Sequence, residues 1–263
     1  SGHPYGMVKG IFNNSRVQSL KHFPHRQVNM SDVEALKKEA GIAACAFVKT
    51  GMKVGLGTGS TVKHTVVELG RRMAEEGLEI VGVPTSLATE KLAIQVGIPL
   101  VELSSIDGLD IVIDGADEYD PQFQLIKGGG AALLREKVVA QESAAMVVVA
   151  DDRKRVAQLG AFPLPIEVTP FEYQATIRAL GRLLDCRVNC RMAGDNAVVT
   201  DNGNMIADAH MGPTITQPVA LEAAILNIAG VVQVGLFNGM CDAVVLAGNN
   251  GVETIINPAG RLN

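Results

Sequence analysis

The chain has 263 residues, 47% of them hydrophobic, which suits one large α/β unit or two modest ones around a substantial core. Aromatic residues make up only 4%, Trp is absent, and the net charge is −5 with a pI near 5.6, so neither a stacking platform for nucleic acid nor a basic patch is indicated. No run of 18 apolar residues and no secretory apolar core occurs, so the reading is of a chain with no membrane span and no nucleic-acid partner.

Residues 1–31 differ from the rest. They hold Lys9, Arg16, Lys21 and Arg26 and no acidic residue, which leaves 19 basic against 28 acidic residues in the body. Ser1-Gly2-His3 has the look of a tag remnant and Met30 of a natural start, so 1–31 reads as an extension or leader, with an acid-poor transit peptide as the alternative.

From Asp32, an N-cap residue, an apolar-periodic helix is predicted to Val48. Then come a strand Met52–Leu56, a glycine turn, a helix Ser60–Glu75, a strand Glu79–Val83, a helix Leu87–Val96 and a strand Pro99–Leu103. A continuous apolar strand Asp110–Ile113, a helix Ala131–Gln141 and a strand Met146–Ala150 follow. Short apolar strands alternating with helices predict a mostly parallel, doubly wound (Rossmann-like) sheet covered on both faces. The pattern changes at Phe162-Pro163-Leu164-Pro165. Strand 164–168, helix 170–184, strand 187–192, strands 197–200 and 204–209 joined through Asp201-Asn202-Gly203, helix 217–229 and strand 231–237 give the order β-α-β-β-α-β, a smaller ferredoxin-like α+β domain. Strands 242–246 and 252–256 return to the first domain, which then spans 32–163 and 238–263, with 164–237 as the small one.

Cys45, Cys186, Cys190 and Cys241 have neither redox nor zinc spacing, and read as reduced thiols of a cytoplasmic protein.

Chemistry concentrates in three places. Gly55-Leu56-Gly57-Thr58-Gly59-Ser60-Thr61 joins a strand to a helix, where backbone N–H groups and the helix dipole favour an anion, and Thr58, Ser60 and Thr61 add hydroxyls. It lacks the Lys of a Walker A loop and the third Gly of a dinucleotide fingerprint, and a tight turn that binds nothing is the alternative. Asp114 and Asp117 follow a buried strand, at the end where open sheets bind ligands, while Glu118 and Asp120 read as turn or cap residues. Lys127 precedes Gly128, Gly129 and Gly130, and Glu136 lies in the next helix, where Glu136 and Lys137 have the alternative of a solvated face. The union describes a pocket for a small phosphorylated molecule with acid/base groups at its reacting end. Nearby basic groups would compete with a metal, so no metal is expected.

The blocks Val54–Thr61, Thr89-Glu90-Lys91-Leu92, Asp114–Glu118, Ile126–Lys137, Phe162–Pro165, Val199–Asn204 and Val234–Phe237 resemble the type A ribose-5-phosphate isomerases, over about Asp32 to Ile256. The resemblance implies interconversion of ribose 5-phosphate and ribulose 5-phosphate in the pentose phosphate pathway, without metal or organic cofactor, by a homodimer or homotetramer. It implies that Glu136 moves a proton between C2 and C1 and that Asp114, Asp117 and Lys127 handle hydroxyl protons, ring opening and charge. It assigns phosphate binding to Ser60, Thr61, Lys37 and Lys154. A related phosphosugar isomerase or deaminase would be expected to carry a catalytic His, which these blocks lack, and a CoA-transferase-like activity fits the lysine loop poorly. A non-catalytic sugar-phosphate sensor is the alternative from another class.

Overall fold

The computed structural model describes residues 30–262. The segment 1–31, apart from its last two residues, lies outside them. Helix α1 (Met30–Ala44) leads through a short turn to the alternation β1 (Lys53–Leu56), α2 (Val62–Glu76), β2 (Val81–Pro84), α3 (Leu87–Gln95) and β3 (Ile111–Gly115). Two short strands, β4 (Glu118–Tyr119) and β5 (Leu125–Ile126), precede α4 (Leu133–Gln141) and β6 (Met146–Asp151). The chain continues as β7 (Leu164–Val168), α5 (Tyr173–Leu184), β8 (Arg187–Cys190), β9 (Met192–Ala193), β10 (Asn196–Ala197), β11 (Met205–His210), α6 (Pro218–Leu226) and β12 (Val231–Val234). It closes with β13 (Leu236–Phe237), β14 (Ala243–Gly248) and β15 (Gly251–Ile256).

The main sheet runs β15-β14-β6-β3-β1-β2 and is parallel except for the edge strand β15. Its strands alternate between two cores, as a period of two requires. Ile111, Ile113, Val147, Val149 and Val245 join one core with residues of α1, α2 and α3. Val112, Val148 and Val244 join the other, with Leu133 and Val139 of α4. The sheet is therefore covered on both faces. A second, antiparallel sheet runs β12-β7-β11-β8, the ferredoxin-like order, and has its own core around Ile166, Leu180, Ala207 and Ile225.

Three expectations are corrected. The segment 99–103 forms no strand: it makes one bridge, Gly82 to Leu100, and then turns at Leu103–Ser105, because Pro99 brings no N–H and Ser105 Oγ bonds back to Glu102 O. The segment 197–200 pairs with 205 only at Val199, while Asn196–Ala197 pairs with Met192–Ala193. The Asp201-Asn202-Gly203 turn is present, with Gly203 at φ 77, but buried Glu167 draws in the side chains of Thr200, Asn202 and Asn204 and folds the turn onto the sheet. The strand expected over 231–237 breaks at Gly235, and Leu236–Phe237 pairs instead with β5 in a three-stranded sheet beside the pocket.

Candidate active site

β1, β3 and β6 are parallel neighbours, so their carboxyl ends meet on one edge of the sheet. β1 continues to β2 on one side and the chain then returns to β3 on the other, which makes the β1/β3 crevice a topological switch point, where open sheets bind ligands. Three loops converge there: 57–61 after β1, 114–118 at the end of β3, and 151–154 after β6. With Lys37 of α1 and the loop 127–130 leading to α4, they enclose a cavity of about 330 Å³. Its lining includes Lys37, Thr58, Gly59, Ser60, Thr61, Asp117, Lys127, Gly128, Gly129, Gly130, Glu136 and Lys154.

At the reacting end, Lys127 is buried between two carboxylates. Its Nζ stands 3.2 Å from Asp114 Oδ2 and 3.2 Å from Glu136 Oε1, and it also donates to Gly115 O. Asp114 Oδ1 accepts from the backbone N–H groups of Thr58 at 3.0 Å and Gly115 at 2.7 Å. Glu136, 4% exposed, keeps Oε2 without a hydrogen-bond partner. Burial first, and the charge of Asp114 second, push its carboxyl up to about 8, against the pull of Lys127. Burial also raises Asp114, although Lys127 and the two backbone donors oppose it. Burial lowers the ammonium of Lys127, but Asp114 and Glu136 outweigh that and hold it charged. Glu136 and Lys137 are both buried, so the solvated-face alternative fails. Lys137 turns the other way, donating to Glu222 Oε1 at 2.6 Å, Gln233 Oε1 at 2.9 Å and the carbonyls of Val234 and Leu236 at 2.8 Å each, which ties α4 to the small domain.

Glycines make this packing possible. A Cβ on Gly57 would run into the Asp114 carboxylate, and one on Gly129 would sit 2.5 Å from Asp117 Oδ1. Gly129 N–H donates to Asp117 Oδ2 at 2.7 Å, and Gly128 holds φ +111, a left-handed backbone that favours glycine. Gly57 thus supports Asp114 from behind and is not among the cavity-lining residues. Asp114, fully buried, is not among them either, and meets the cavity through Lys127.

Gly59, Ser60 and Thr61 line the same cavity and lead into α2, whose N-cap Thr61 makes no side-chain cap. The N–H groups of Lys63 and His64 bond back to Gly59 O and Thr61 O at 3.1 Å each, so the Ser60 and Thr61 side chains and the helix dipole are what this segment offers an anion. Lys37, Arg153 and Lys154 complete a cationic rim. Lys37 pairs with Glu34 at 2.9 Å, and Arg153 is held by a bidentate pair with buried Asp151 at 2.6 and 3.0 Å. One expected role is corrected. The Thr58 hydroxyl is occupied by Thr85, Ser86 and Thr89 at 2.7, 2.8 and 3.4 Å, so Thr58 buttresses the loop against the start of α3 instead of offering a free hydroxyl. Glu118 accepts from Gly160 and Phe162 N–H, and Asp120 from Gln122 and Gln124 N–H, so both are structural, as expected.

The sequence reading missed Arg153 and the Thr85-Ser86-Thr89 cluster. A basic pair directly beyond a buried strand was the available signal for Arg153; the hydroxyl cluster had none. Among the described residues no group of three or more His, Cys, Asp or Glu is arranged to hold a metal ion, and the four cysteines are unpaired.

The family model described as Ribose 5-phosphate isomerase A (phosphoriboisomerase A) matches residues 81–251. The chain is 50% identical over 234 residues to a protein of Bradyrhizobium diazoefficiens named Ribose-5-phosphate isomerase A, covering 85% of this chain and 96% of that one. This chain belongs to the ribose 5-phosphate isomerase A family. Solved structures agree. That of ribose 5-phosphate isomerase A from Methanocaldococcus jannaschii has a TM-score of 0.80 at 42% identity, over 85% of this chain and 99% of that one. A D-ribose-5-phosphate isomerase in complex with phospho-erythronic acid has a TM-score of 0.82 at 38% identity, with the same coverage. The sheet and the ferredoxin-like unit are thus those of a family fold.

Proposed function

We propose that this chain interconverts ribose 5-phosphate and ribulose 5-phosphate through a cis-enediol intermediate, with Glu136 as the base. One observation carries the assignment: the unpartnered Oε2 of a buried glutamate, beside a buried lysine, in the same cavity as Lys37, Arg153 and Lys154 and the hydroxyls of Ser60 and Thr61. Moving a carbonyl from C1 to C2 requires removal of a weakly acidic C–H proton. The cis-enediol presents C1 and C2 on one face, so one carboxylate takes the proton from C2 and returns it to C1. A carboxyl raised to about 8 is a stronger base for that task than an ordinary glutamate.

As the C2 proton leaves, charge develops on O1. Lys127 and the N–H groups of 128–130 stabilise it before the reaction begins and without reorganisation. Asp117 Oδ2 is held by Gly129 N–H, which leaves Oδ1 to a substrate hydroxyl. Asp114 sets the charge of Lys127 and exchanges protons with the substrate oxygens through it. The phosphate, held by Ser60, Thr61, Lys37, Lys154 and Arg153, supplies remote binding energy that orients C1 and C2. Both protons are then handled by side chains, and no cofactor is required. On this reading 164–237 is the small domain, and 32–163 with 238–263 the catalytic one. Assembly as a homodimer or homotetramer is proposed through the small domain, where Phe171, Met192, Val199 and Val219 are exposed; sedimentation of the purified chain as a monomer would refute it. Unpaired cysteines fit a reducing, cytoplasmic setting.

The test is conversion of ribose 5-phosphate to ribulose 5-phosphate in EDTA, with Glu136→Gln alongside. Turnover in the parent that collapses in the variant is expected. Binding of ribose 5-phosphate without turnover in the parent would favour a sensor instead.

A further inference from the structure

A side chain of the small domain reaches the glycine loop of the active site. Arg191, between β8 and β9, presents its guanidinium edge to Asp208 of β11, with Nε and one terminal nitrogen 2.9 and 2.6 Å from the two carboxylate oxygens. The other terminal nitrogen donates to Gly128 O at 2.7 Å and Gly129 O at 2.9 Å. The pair is mostly buried, with side-chain exposures of 16% and 14%. A fork saturated on one side by a carboxylate and on the other by two consecutive carbonyls has almost no rotational freedom left.

Those carbonyls belong to the peptides that carry the N–H groups of Gly129 and Gly130. The peptides are planar and trans, so each N–H points opposite to its own carbonyl. Carbonyls fixed towards Arg191 therefore send Gly129 N–H to Asp117 Oδ2, at 2.7 Å, and Gly130 N–H towards the cavity that Gly130 lines, where no acceptor among the described residues takes it. The guanidinium charge also polarises both peptides and strengthens the N–H groups as donors.

We propose that Arg191, locked by Asp208, is a positioning residue for the isomerisation. It aims the Gly130 N–H at the oxygen that gains charge in the enediol and keeps Asp117 in place, without touching substrate. This inference rests on the isomerase reading and concerns the same site. Within the loop Ala131 N–H also holds the Gly128 carbonyl, at 3.0 Å, but the Gly129 carbonyl, whose peptide carries the Gly130 N–H, is held by Arg191, and glycine would otherwise leave that peptide free to rotate.

The test compares Arg191→Met, Arg191→Lys and Asp208→Asn with the parent, reading kcat and KM for ribose 5-phosphate and, by calorimetry, the dissociation constants of phospho-erythronic acid and inorganic phosphate. Misaimed donors cost most where charge develops, so Arg191→Met is expected to lower kcat by about ten- to a hundred-fold. Phospho-erythronic acid should bind about ten-fold more weakly, while inorganic phosphate at the other end is unaffected. Arg191→Lys, a point charge in place of a fork, and Asp208→Asn, which loosens the fork, should each lie between, and they decide the matter should Arg191→Met not fold. Unchanged kcat in all three variants, or equal weakening of phosphate and phospho-erythronic acid, would overturn the proposal. An inactive parent would instead overturn the isomerase reading, leaving the selective loss of phospho-erythronic acid affinity as the measure of the clamp.

Discussion

Replacing Lys127 by Met keeps the unbranched shape of the side chain, shortens it by the terminal atom and removes the cation between two buried carboxylates. Each ion pair spans 3.2 Å, and at an effective dielectric near 20 each is worth ~5 kcal/mol of gross attraction. Desolvation of three charges offsets much of that, and removing one partner of a buried pair typically costs about 3–5 kcal/mol. The cost has a pH dependence with a definite sign. Lys127 lowers both carboxylates, so without it Asp114 and Glu136 rise further above their ordinary values. The folded state then holds protons that the unfolded chain releases. Stability is therefore greatest below the ordinary carboxylate range and is lost as pH rises through the raised folded values. The melting temperature of Lys127→Met should fall increasingly behind the parent as pH rises above about 8, where Glu136 of the parent has released its proton and that of the variant has not. Turnover at neutral pH should drop by about 10²–10⁴, because the ionised fraction of Glu136, already the minority form, falls further and the charge on the enediol loses its cation. Melting curves across pH, with initial rates of ketose formation, read both effects. A parallel pH dependence of melting in parent and variant across that range, or near-parental turnover, would refute the view that Lys127 pulls these carboxyls down.

Three further outcomes follow from the same geometry. In the parent, kcat/KM should rise with pH towards about 8 as Glu136 loses its proton, and Asp114→Asn, which removes a like charge, should move that limb to lower pH as well as reduce turnover; a limb that shifts upward contradicts the charge assignment. Lys37→Ala removes a charge-assisted contact at the anion end, so KM and the inhibition constant of inorganic phosphate should both rise about ten-fold with a smaller change in kcat, whereas a pure kcat effect would place the phosphate elsewhere. Gly235 accepts from Lys127 N–H at 2.9 Å, and a Cβ there would strike the Lys127 carbonyl, so Gly235→Ala should lose about 1–3 kcal/mol in denaturant melts. An unchanged midpoint would show that the β12–β13 break tolerates a side chain.

Much of the scaffold was readable locally. Buried strands announce themselves by continuous apolar runs such as Ile111–Ile113 and Met146–Ala150, and the loops that bind ligands lie directly beyond them. The glycine turn at 57–61, the carboxylates at 114 and 117 and the lysine–glycine run at 127–130 were legible because their chemistry is carried by neighbours in the chain. The strand expected at 99–103 and the hairpin expected at 197–209 were misread for the complementary reason. Their pairing depends on Pro99 and on the distant Glu167, not on the residues that alternate within them.

Which groups stand at the crevice, and in what order the strands deliver them, can be read along the chain. What each group does there follows from its surroundings in the folded molecule. Glu136 became a raised carboxyl because burial and Asp114 surround it, and Thr58 became a buttress because the turn from β2 into α3 brings the hydroxyls of Thr85, Ser86 and Thr89 to it. Lys137 became an anchor and not a solvated charge because β12 and β13 cover it, and the glycine loop acquired a direction because Arg191 arrives from another domain. Periodicity and turn chemistry act over a few residues, whereas desolvation and charge pairing act through space, between segments that the chain keeps far apart until it folds.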